Sequence, residues 1–325
     1  MEPAGALTSF SRKVTKLMGM AFGYGLANDI RDAYVFLMKN YEPGDSLFLF
    51  GFSRGAYTVR AVCSLLRLYG LIRKDNESLV AYATRLLMGI ERSDGDRDAV
   101  AQYFKLADGF RSTLAATCKP WFVGVWDTVS SVGWIENPLK LPYIANNPDI
   151  QIGRHAVSID ERRAFFRTNL WRHPVDVTTD NGPKDLKQVW FVGDHSDVGG
   201  GYAESESGLS KITLEWMICE AVAAGLLVDQ NKVNQVLGRT GAGNVTPNPN
   251  GQAHDCLRGW WQVAELVPKK HYDWSTGKTK RRMNFWRRRT IPPKSLIHES
   301  AFERENYRTK LPEDAIHVTT SCTSR

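Results

Sequence analysis

The stretch Leu47–Arg60, which reads LFLFGFSRGAYTVR, decides the fold of this chain. Its four leading apolar residues predict a short, buried β-strand. Residues Gly51–Gly55 then match the pattern G-x-S-x-G, in which a serine lies on a sharp turn between a strand and a helix. Glycines on both sides let the strand and the helix pass closely and leave the serine hydroxyl accessible. Ser53 is therefore the first candidate for a reactive residue.

A helical stripe follows this turn. Apolar or small residues recur every three or four positions, at Ala56, Val59, Cys63, Leu66 and Gly70. The motif thus has the strand, the turn and the helix that a nucleophile elbow requires. The competing interpretation is a glycine-flanked serine in an ordinary strand-to-helix turn.

Two further buried strands are predicted, and a polar segment follows each of them. Trp121–Trp126 is followed at once by Asp127, and Gln188–Val192 leads into a glycine-rich segment that contains His195. In a parallel sheet, ligands and chemistry gather at the carboxyl ends of the strands. We therefore expect Ser53, Asp127 and His195 to share one site, although an aspartate at a strand end is also typical of a turn or a helix cap.

Other assignments of the same site remain open. His298 also follows a strand-like stretch and is an alternative base. Asp194 or Asp197 is an alternative to Asp127 as the acid, or else forms local hydrogen bonds that hold the glycine-rich segment. These two aspartates and His195 lack the spaced partners of a metal centre, so no metal and no other cofactor is expected.

Helical periodicity predicts further elements between the strands. The predicted helical segments are Ile30–Asn40, residues 75–117, His155–Phe166 and Leu209–Leu227. Strands that alternate with helices predict an α/β fold with a mostly parallel sheet and helices on both faces. We expect one domain over residues 1–325, with insertions around residues 75–117 and 239–290.

The composition narrows the class of protein. The chain has 325 residues, of which 42% are hydrophobic, and no apolar run approaches the roughly 18 residues of a membrane span. The first residues lack the basic start and apolar core of a secretory signal. The protein is therefore expected to be cytoplasmic, or exported without a cleaved signal peptide. Five scattered cysteines predict reduced thiols rather than a disulfide framework.

Much of the formal charge of +7 lies in one stretch, Trp274–Arg289. Seven basic residues in it are interleaved with three large aromatic residues. Such a mixture is typical of contact with an anionic membrane or with nucleic acid, and it also suits a solvent-exposed strand pair or loop. Because no nucleic-acid fold signature accompanies the charge, nucleic acid is not expected as a partner, whereas an anionic membrane surface stays an open alternative.

Several motifs together resemble one widespread family, the uncharacterised α/β hydrolase family of bacteria and fungi that includes type VI secretion phospholipase effectors. The resemblance covers roughly residues 20 to 310 and is carried by the segments Asn28–Tyr34, Gly51–Ala56, Val125–Val129, Ile159–Arg163, His195–Tyr202 and Ile297–Ser300. It implies an α/β-hydrolase fold and a Ser-Asp-His triad that hydrolyses carboxylic esters, with lipids and phospholipids as the substrate class. By motif, the nucleophile falls on Ser53, the acid on Asp127 and the base on His195.

One departure from the family pattern concerns the start of the sheet. Family members begin with an apolar strand that ends in a Cys-Asp-Gly-Thr-like turn, and no such strand is found before residue 20. Either the sequence starts after that strand or the strand is dispensable. The backbone N–H of Arg54 is expected to be one oxyanion donor, and the source of the second, usually an early loop, is left open.

The sequence thus predicts a serine esterase or lipase, and within that class a phospholipase, that works through an acyl-enzyme. Its partner would be an ester or lipid substrate. The competing class is a catalytically silent hydrolase-fold protein that acts in binding or as a scaffold, and the missing first strand motivates it.

Overall fold

A computed structural model describes residues 25–322 apart from residues 90–96, 130–132, 135–136, 139–140, 165, 167, 172–181, 242, 260, 263–264, 266–268 and 274–277. The sequence predicts no apolar strand before residue 20, and that part of the chain lies outside the described residues. No helix in these ranges combines the length and the apolarity needed to cross a bilayer.

Groups of helices and groups of strands follow one another along the chain. The longer helices are α1 (residues 25–40), α2 (Arg54–Tyr69), α3 (Glu77–Gly89), α4 (Arg97–Leu114), α5 (His195–Gly199), α6 (Gly208–Ala223) and α7 (Gln230–Val236). The strands are β1 (Leu47–Phe52), β2 (Leu71–Ile72), β3 (Ala115–Ala116), β4 (Pro120–Trp126), β5 (Gly133–Trp134), β6 (Asn137–Pro138), β7 (Ile152–Ser158), β8 (Asp185–Phe191), β9 (Lys269–Asp273), β10 (Lys278–Arg282), β11 (Leu296–His298) and β12 (Ile316–Val318). A short helix, Ser300–Glu303, and two 3₁₀ turns, Glu204–Glu206 and Arg308–Lys310, complete them.

Six strands form the main sheet, in the order β1-β4-β7-β8-β11-β12. Every pairing between neighbours in that order is parallel. Parallel strands need a crossover between them, and helical segments provide several of these connections. The predicted α/β fold is confirmed, and all six strands bring their carboxyl ends to the same edge.

Helices cover both faces of this sheet, as the alternation along β4 shows. Phe122 packs in one core cluster with Trp216 and Met217 of α6, whereas Val123 packs in another with Ala56 of α2. Successive side chains of a strand point to opposite faces, so α2 and α6 lie on opposite sides of the sheet. A further apolar cluster joins α1, α2, α3 and α4.

Two predictions from the sequence were wrong. The segment His155–Phe166 is not a helix, because its first residues belong to β7, a central strand buried on both faces. Parallel central strands read as continuous apolar or small runs, which a helical period can match by chance. The cysteines are not all reduced, since Cys219 of α6 and Cys322 are joined by a disulfide.

Candidate active site

Ser53 lies where β1 ends and α2 begins. Its backbone has φ 57° and ψ −120°, a conformation that few residues with a side chain adopt. The turn is so tight that a Cβ on Gly51 would lie 2.5 Å from the carbonyl oxygen of Gly55. Glycine is therefore required at position 51, and the turn lifts Ser53 beyond the end of the strand.

His195 is the first residue of α5, which begins four residues after the last residue of β8. The side chain of Asp194 accepts hydrogen bonds from the backbone N–H groups of Ser196 and Asp197, and the side chain of Asp197 accepts one from the backbone N–H of Asp194, which makes a capping box. This local network fixes the start of α5. The Nε2 atom of His195 lies 2.7 Å from the Oγ atom of Ser53.

Asp127 follows β4 and is fully buried, with φ 39°. Its Oδ2 atom lies 2.5 Å from Nδ1 of His195, and its Oδ1 atom accepts the backbone N–H of Ser158 at 3.1 Å. Because a carboxylate only accepts hydrogen bonds, Nδ1 carries the imidazole proton and Nε2 is left to accept one from Ser53. The three residues that the sequence placed at strand ends thus form one hydrogen-bonded chain.

Arg289 completes the surroundings of Asp127. Its two terminal nitrogens contact the two carboxylate oxygens, Nη2 at 3.0 Å from Oδ2 and Nη1 against Oδ1. Burial alone would raise the pKa of Asp127, but the Arg289 charge and the contact with His195 outweigh burial and hold that pKa well below its usual range. The carboxylate therefore stays ionised at neutral pH.

Aromatic rings enclose His195. The ring of Phe52 lies 4.6 Å from the imidazole between centroids, and that of Phe166 lies at 4.8 Å, edge on. Gly199 makes room for Phe52, since a Cβ there would come within 2.0 Å of the ring. These contacts restrict the imidazole to one orientation and keep its surroundings largely apolar.

The alternative candidates lie elsewhere or have other partners. His298 bonds to hydroxyls, with Nδ1 at 2.9 Å from Ser300 Oγ and Nε2 at 2.7 Å from Thr320 Oγ1. Asp194 and Asp197 cap α5 and do not contact the imidazole of His195 through any hydrogen bond in the described part of the chain. The structure therefore brings together Ser53, Asp127 and His195, and not the alternatives.

The role of Arg289 was not predicted from the sequence. As part of the basic stretch Trp274–Arg289, this residue was expected on a charged surface, but its side chain is only 9% exposed. Nothing local separates Arg289 from the exposed Arg287 and Arg288, so only the tertiary structure distinguishes it. Trp274 itself lies outside the described residues.

Two other features bear on the chemistry. Arg54 is the first residue of α2, so its backbone N–H lies at the positive end of that helix, and its side chain lies 3.9 Å from Asp29 at the surface. Among the residues described, no group of three or more His, Cys, Asp or Glu side chains is arranged to hold a metal ion.

Comparisons with known proteins point to a family. The sequence profile described as "T6SS, Phospholipase effector Tle1-like, catalytic domain" matches residues 2–220. The uncharacterized protein YEL023C of Saccharomyces cerevisiae is 26% identical over 326 aligned positions, which cover 65% of this chain and 48% of the yeast protein. The chain thus spans about half the length of the curated relative it matches.

No solved structure matches this chain. The family profile, however, covers more than half of it and includes Ser53, Asp127 and His195. On this basis the chain belongs to the family of catalytic domains of Tle1-like phospholipase effectors of the type VI secretion system.

Proposed function

We propose that this protein is a serine hydrolase that cleaves carboxylic esters of lipids, and phospholipids in particular. The observation that carries the proposal is the chain of contacts from Ser53 Oγ to His195 Nε2 and from His195 Nδ1 to Asp127, at 2.7 Å and 2.5 Å. The family's description as phospholipase effectors supports a lipid substrate.

In the proposed reaction, His195 takes the proton of the Ser53 hydroxyl as the oxygen attacks the ester carbonyl. Asp127 holds the imidazole in one tautomer and stabilises the imidazolium that forms. His195 then gives its proton to the departing alcohol, which leaves an acyl-enzyme on Ser53. A water molecule activated by His195 releases the fatty acid and restores the serine.

The charge that develops on the carbonyl oxygen needs hydrogen-bond donors. The backbone N–H of Arg54, next to the nucleophile at the start of α2, is the proposed first donor. A second donor usually comes from an early loop, and its source in this chain stays open. Loss of one such donor typically costs about 3 kcal/mol of transition-state stabilisation.

An ester panel run with a fluorophosphonate probe tests the proposal. The panel contains p-nitrophenyl esters of several chain lengths and phospholipid vesicles, and the chain is assayed beside Ser53→Ala. We expect the wild type to react with the probe and to hydrolyse members of the panel, and Ser53→Ala to do neither. Folded wild-type protein that neither labels nor hydrolyses would instead favour a silent binding or scaffold protein.

We also propose that the protein docks on anionic membranes. The turn Asn284–Arg287 supports this: Phe285 and Trp286 both have positive φ, 48° and 60°, and are 50% and 41% exposed. Asn284 anchors the turn through hydrogen bonds to Glu265 and to the carbonyl of Arg162. A strained turn that presents aromatic rings beside exposed arginines suits the boundary between lipid headgroups and acyl chains.

For the domain organisation, we propose one domain over residues 1–325, with residues 75–117 and 239–290 as insertions. The packing of α3 and α4 against α2 in a common apolar cluster supports the first insertion as part of the same body. The antiparallel pair β9–β10 forms a separate two-stranded sheet within the second.

A further inference from the structure

The guanidinium of Arg289 is unusual in using all of its donors at one place. Nε and Nη2 donate to the carbonyl of Phe166, Nη1 donates to the carbonyl of Ser158, and Nη1 and Nη2 each donate to Asp127. An arginine has five N–H donors in a rigid fork, and here the guanidinium makes five hydrogen bonds to four acceptor atoms. The backbone N–H of Arg289 is held as well, by the carbonyl of Glu161 at 3.3 Å.

We propose that Arg289 is a positioning residue for the reaction, which acts through Asp127 and not on the substrate. This inference rests on the proposed function and deepens it. The fork fixes the plane of the Asp127 carboxylate, so that Oδ2 faces Nδ1 of His195 while Oδ1 accepts the N–H of Ser158. Without the Arg289 guanidinium, the Asp127 carboxylate, which is 0% exposed, would keep two hydrogen-bond donors, Ser158 and His195, instead of four.

The Arg289 charge also compensates that of Asp127. Its Nη2 atom lies 3.0 Å from Oδ2, the same oxygen that lies 2.5 Å from Nδ1 of His195. A buried carboxylate without a paired cation is strongly unfavourable, so Arg289 keeps Asp127 ionised beside the imidazole.

Other charged groups around the pair are the same in all variants of Arg289. The backbone N–H of His195 donates to Glu161, which is itself paired with Arg163. The neighbouring His155 accepts the N–H of Thr128, and burial lowers its pKa to about 3, so it stays neutral. The capping carboxylates Asp194 and Asp197 precede and follow His195. Both variants leave these groups in place, so a change of rate in an Arg289 variant is attributable to Arg289.

Two substitutions separate the geometry from the charge. Arg289→Lys keeps the charge but loses the bidentate fork, so we expect kcat to fall about tenfold. Arg289→Gln loses both the fork and the charge, so we expect kcat to fall about 100-fold. KM should change by less than about threefold in both, because neither variant alters a group that touches substrate.

The control is Arg154→Gln. Arg154 is also buried and pairs with two carboxylates, those of Glu220 and Asp185, but it lies within β7 rather than at the carboxyl edge of the sheet. Rates are divided by the fraction of serine that the fluorophosphonate labels, so that misfolded protein does not count. Arg154→Gln should lose stability yet keep the wild-type kcat per labelled site.

The outcomes separate a failure of this inference from a failure of the proposed function on which it rests. Wild-type kcat per labelled site in Arg289→Lys, or in a folded Arg289→Gln, would overturn the inference alone. If Arg289→Gln does not fold, kcat of Arg289→Lys decides. A wild type that neither labels nor hydrolyses esters overturns the proposed function and this inference together.

Discussion

The carboxyl ends of two neighbouring strands, β8 and β11, each lead to a buried histidine. His195 follows β8 and His298 ends β11, and each imidazole lies against a phenylalanine ring, at 4.6 Å for Phe52 and 4.7 Å for Phe191. Both fit the pattern of a histidine at a strand end. Their partners differ: a carboxylate and a serine for the first, and two hydroxyls for the second.

This difference decides what each histidine can do. Asp127 favours a positive charge on His195, so that histidine can take up a proton during a reaction. The Nδ1 atom of His298 accepts the backbone N–H of Ser300, and burial lowers its pKa to about 4, so His298 stays neutral at pH 7. The nearest carboxylate oxygen paired with it, on Glu299, lies 3.8 Å away. Hydrogen-bond partners, rather than position in the sheet, separate a candidate base from a structural residue.

The largest expected effect is on catalysis. Ser53→Ala, Asp127→Asn and His195→Ala should each lower ester hydrolysis at least about a thousandfold, because each removes one link of the proposed triad. His298→Asn should leave kcat within about threefold of wild type. The measurement is the initial rate on one ester, with circular dichroism to check the fold. Turnover retained by His195→Ala and abolished by His298→Asn would reverse the comparison.

The next effect is on stability and concerns His298. A buried neutral histidine with pKa lowered to about 4 stabilises the fold fully above the unfolded pKa of about 6.5, and this contribution is lost as the pH falls toward 4. The loss amounts to about 3 kcal/mol between pH 7 and pH 4. His298→Asn, which cannot titrate, should flatten the pH dependence by that amount.

Urea unfolding of the wild type and of His298→Asn at pH 7, 5.5 and 4 measures this effect. The variant is expected to be less stable at pH 7, because it loses the contacts with Ser300 and Thr320, but to lose less on acidification. Equal slopes of the free energy of unfolding against pH in the two proteins would show that His298 does not contribute in this way.

A smaller effect, on stability and on probe labelling, tests whether the close packing at Gly51 shapes the turn that holds Ser53. A Cβ on Gly51 would meet backbone atoms of Gly55 and Ala56 at 2.5 Å to 2.8 Å, whereas a Cβ on Gly55 would meet nothing within 4 Å. Gly51→Ala should therefore cost about 2 kcal/mol and reduce labelling of Ser53, while Gly55→Ala, in a helix, should be neutral or slightly stabilising. Thermal unfolding and probe labelling measure both variants. Similar behaviour of the two would mean that the close approach at Gly51 is not what shapes the turn.

The sequence could predict the elements whose signals are local. The apolar runs before Ser53, Asp127 and His195 are strands in the structure, and their polar neighbours meet because parallel strands share a carboxyl edge. Arg289 could not be predicted, since its contact with Asp127 joins positions 162 residues apart and leaves no periodic trace. The identity of β7 was missed for a related reason, because its burial depends on strands paired on both sides.

The smallest expected effect is on membrane binding, and it tests whether the turn Asn284–Arg287 faces the membrane. The carbonyl of Trp286 accepts a hydrogen bond from Arg162, and the turn Asn284–Arg287 ends two residues before Arg289, which contacts Asp127.

Arg289 is left intact because it contacts Asp127. Arg287→Gln is compared with Lys105→Gln, which removes an exposed charge on α4. One basic residue near an anionic surface contributes about 1 kcal/mol, so Arg287→Gln should bind phosphatidylserine vesicles about fivefold more weakly, whereas Lys105→Gln should bind like wild type. Binding should weaken as salt rises, since screening acts over about 8 Å at physiological ionic strength. Vesicle sedimentation measures all three proteins, and equal pelleting of the two variants at low salt would assign the arginine only to the protein's own surface.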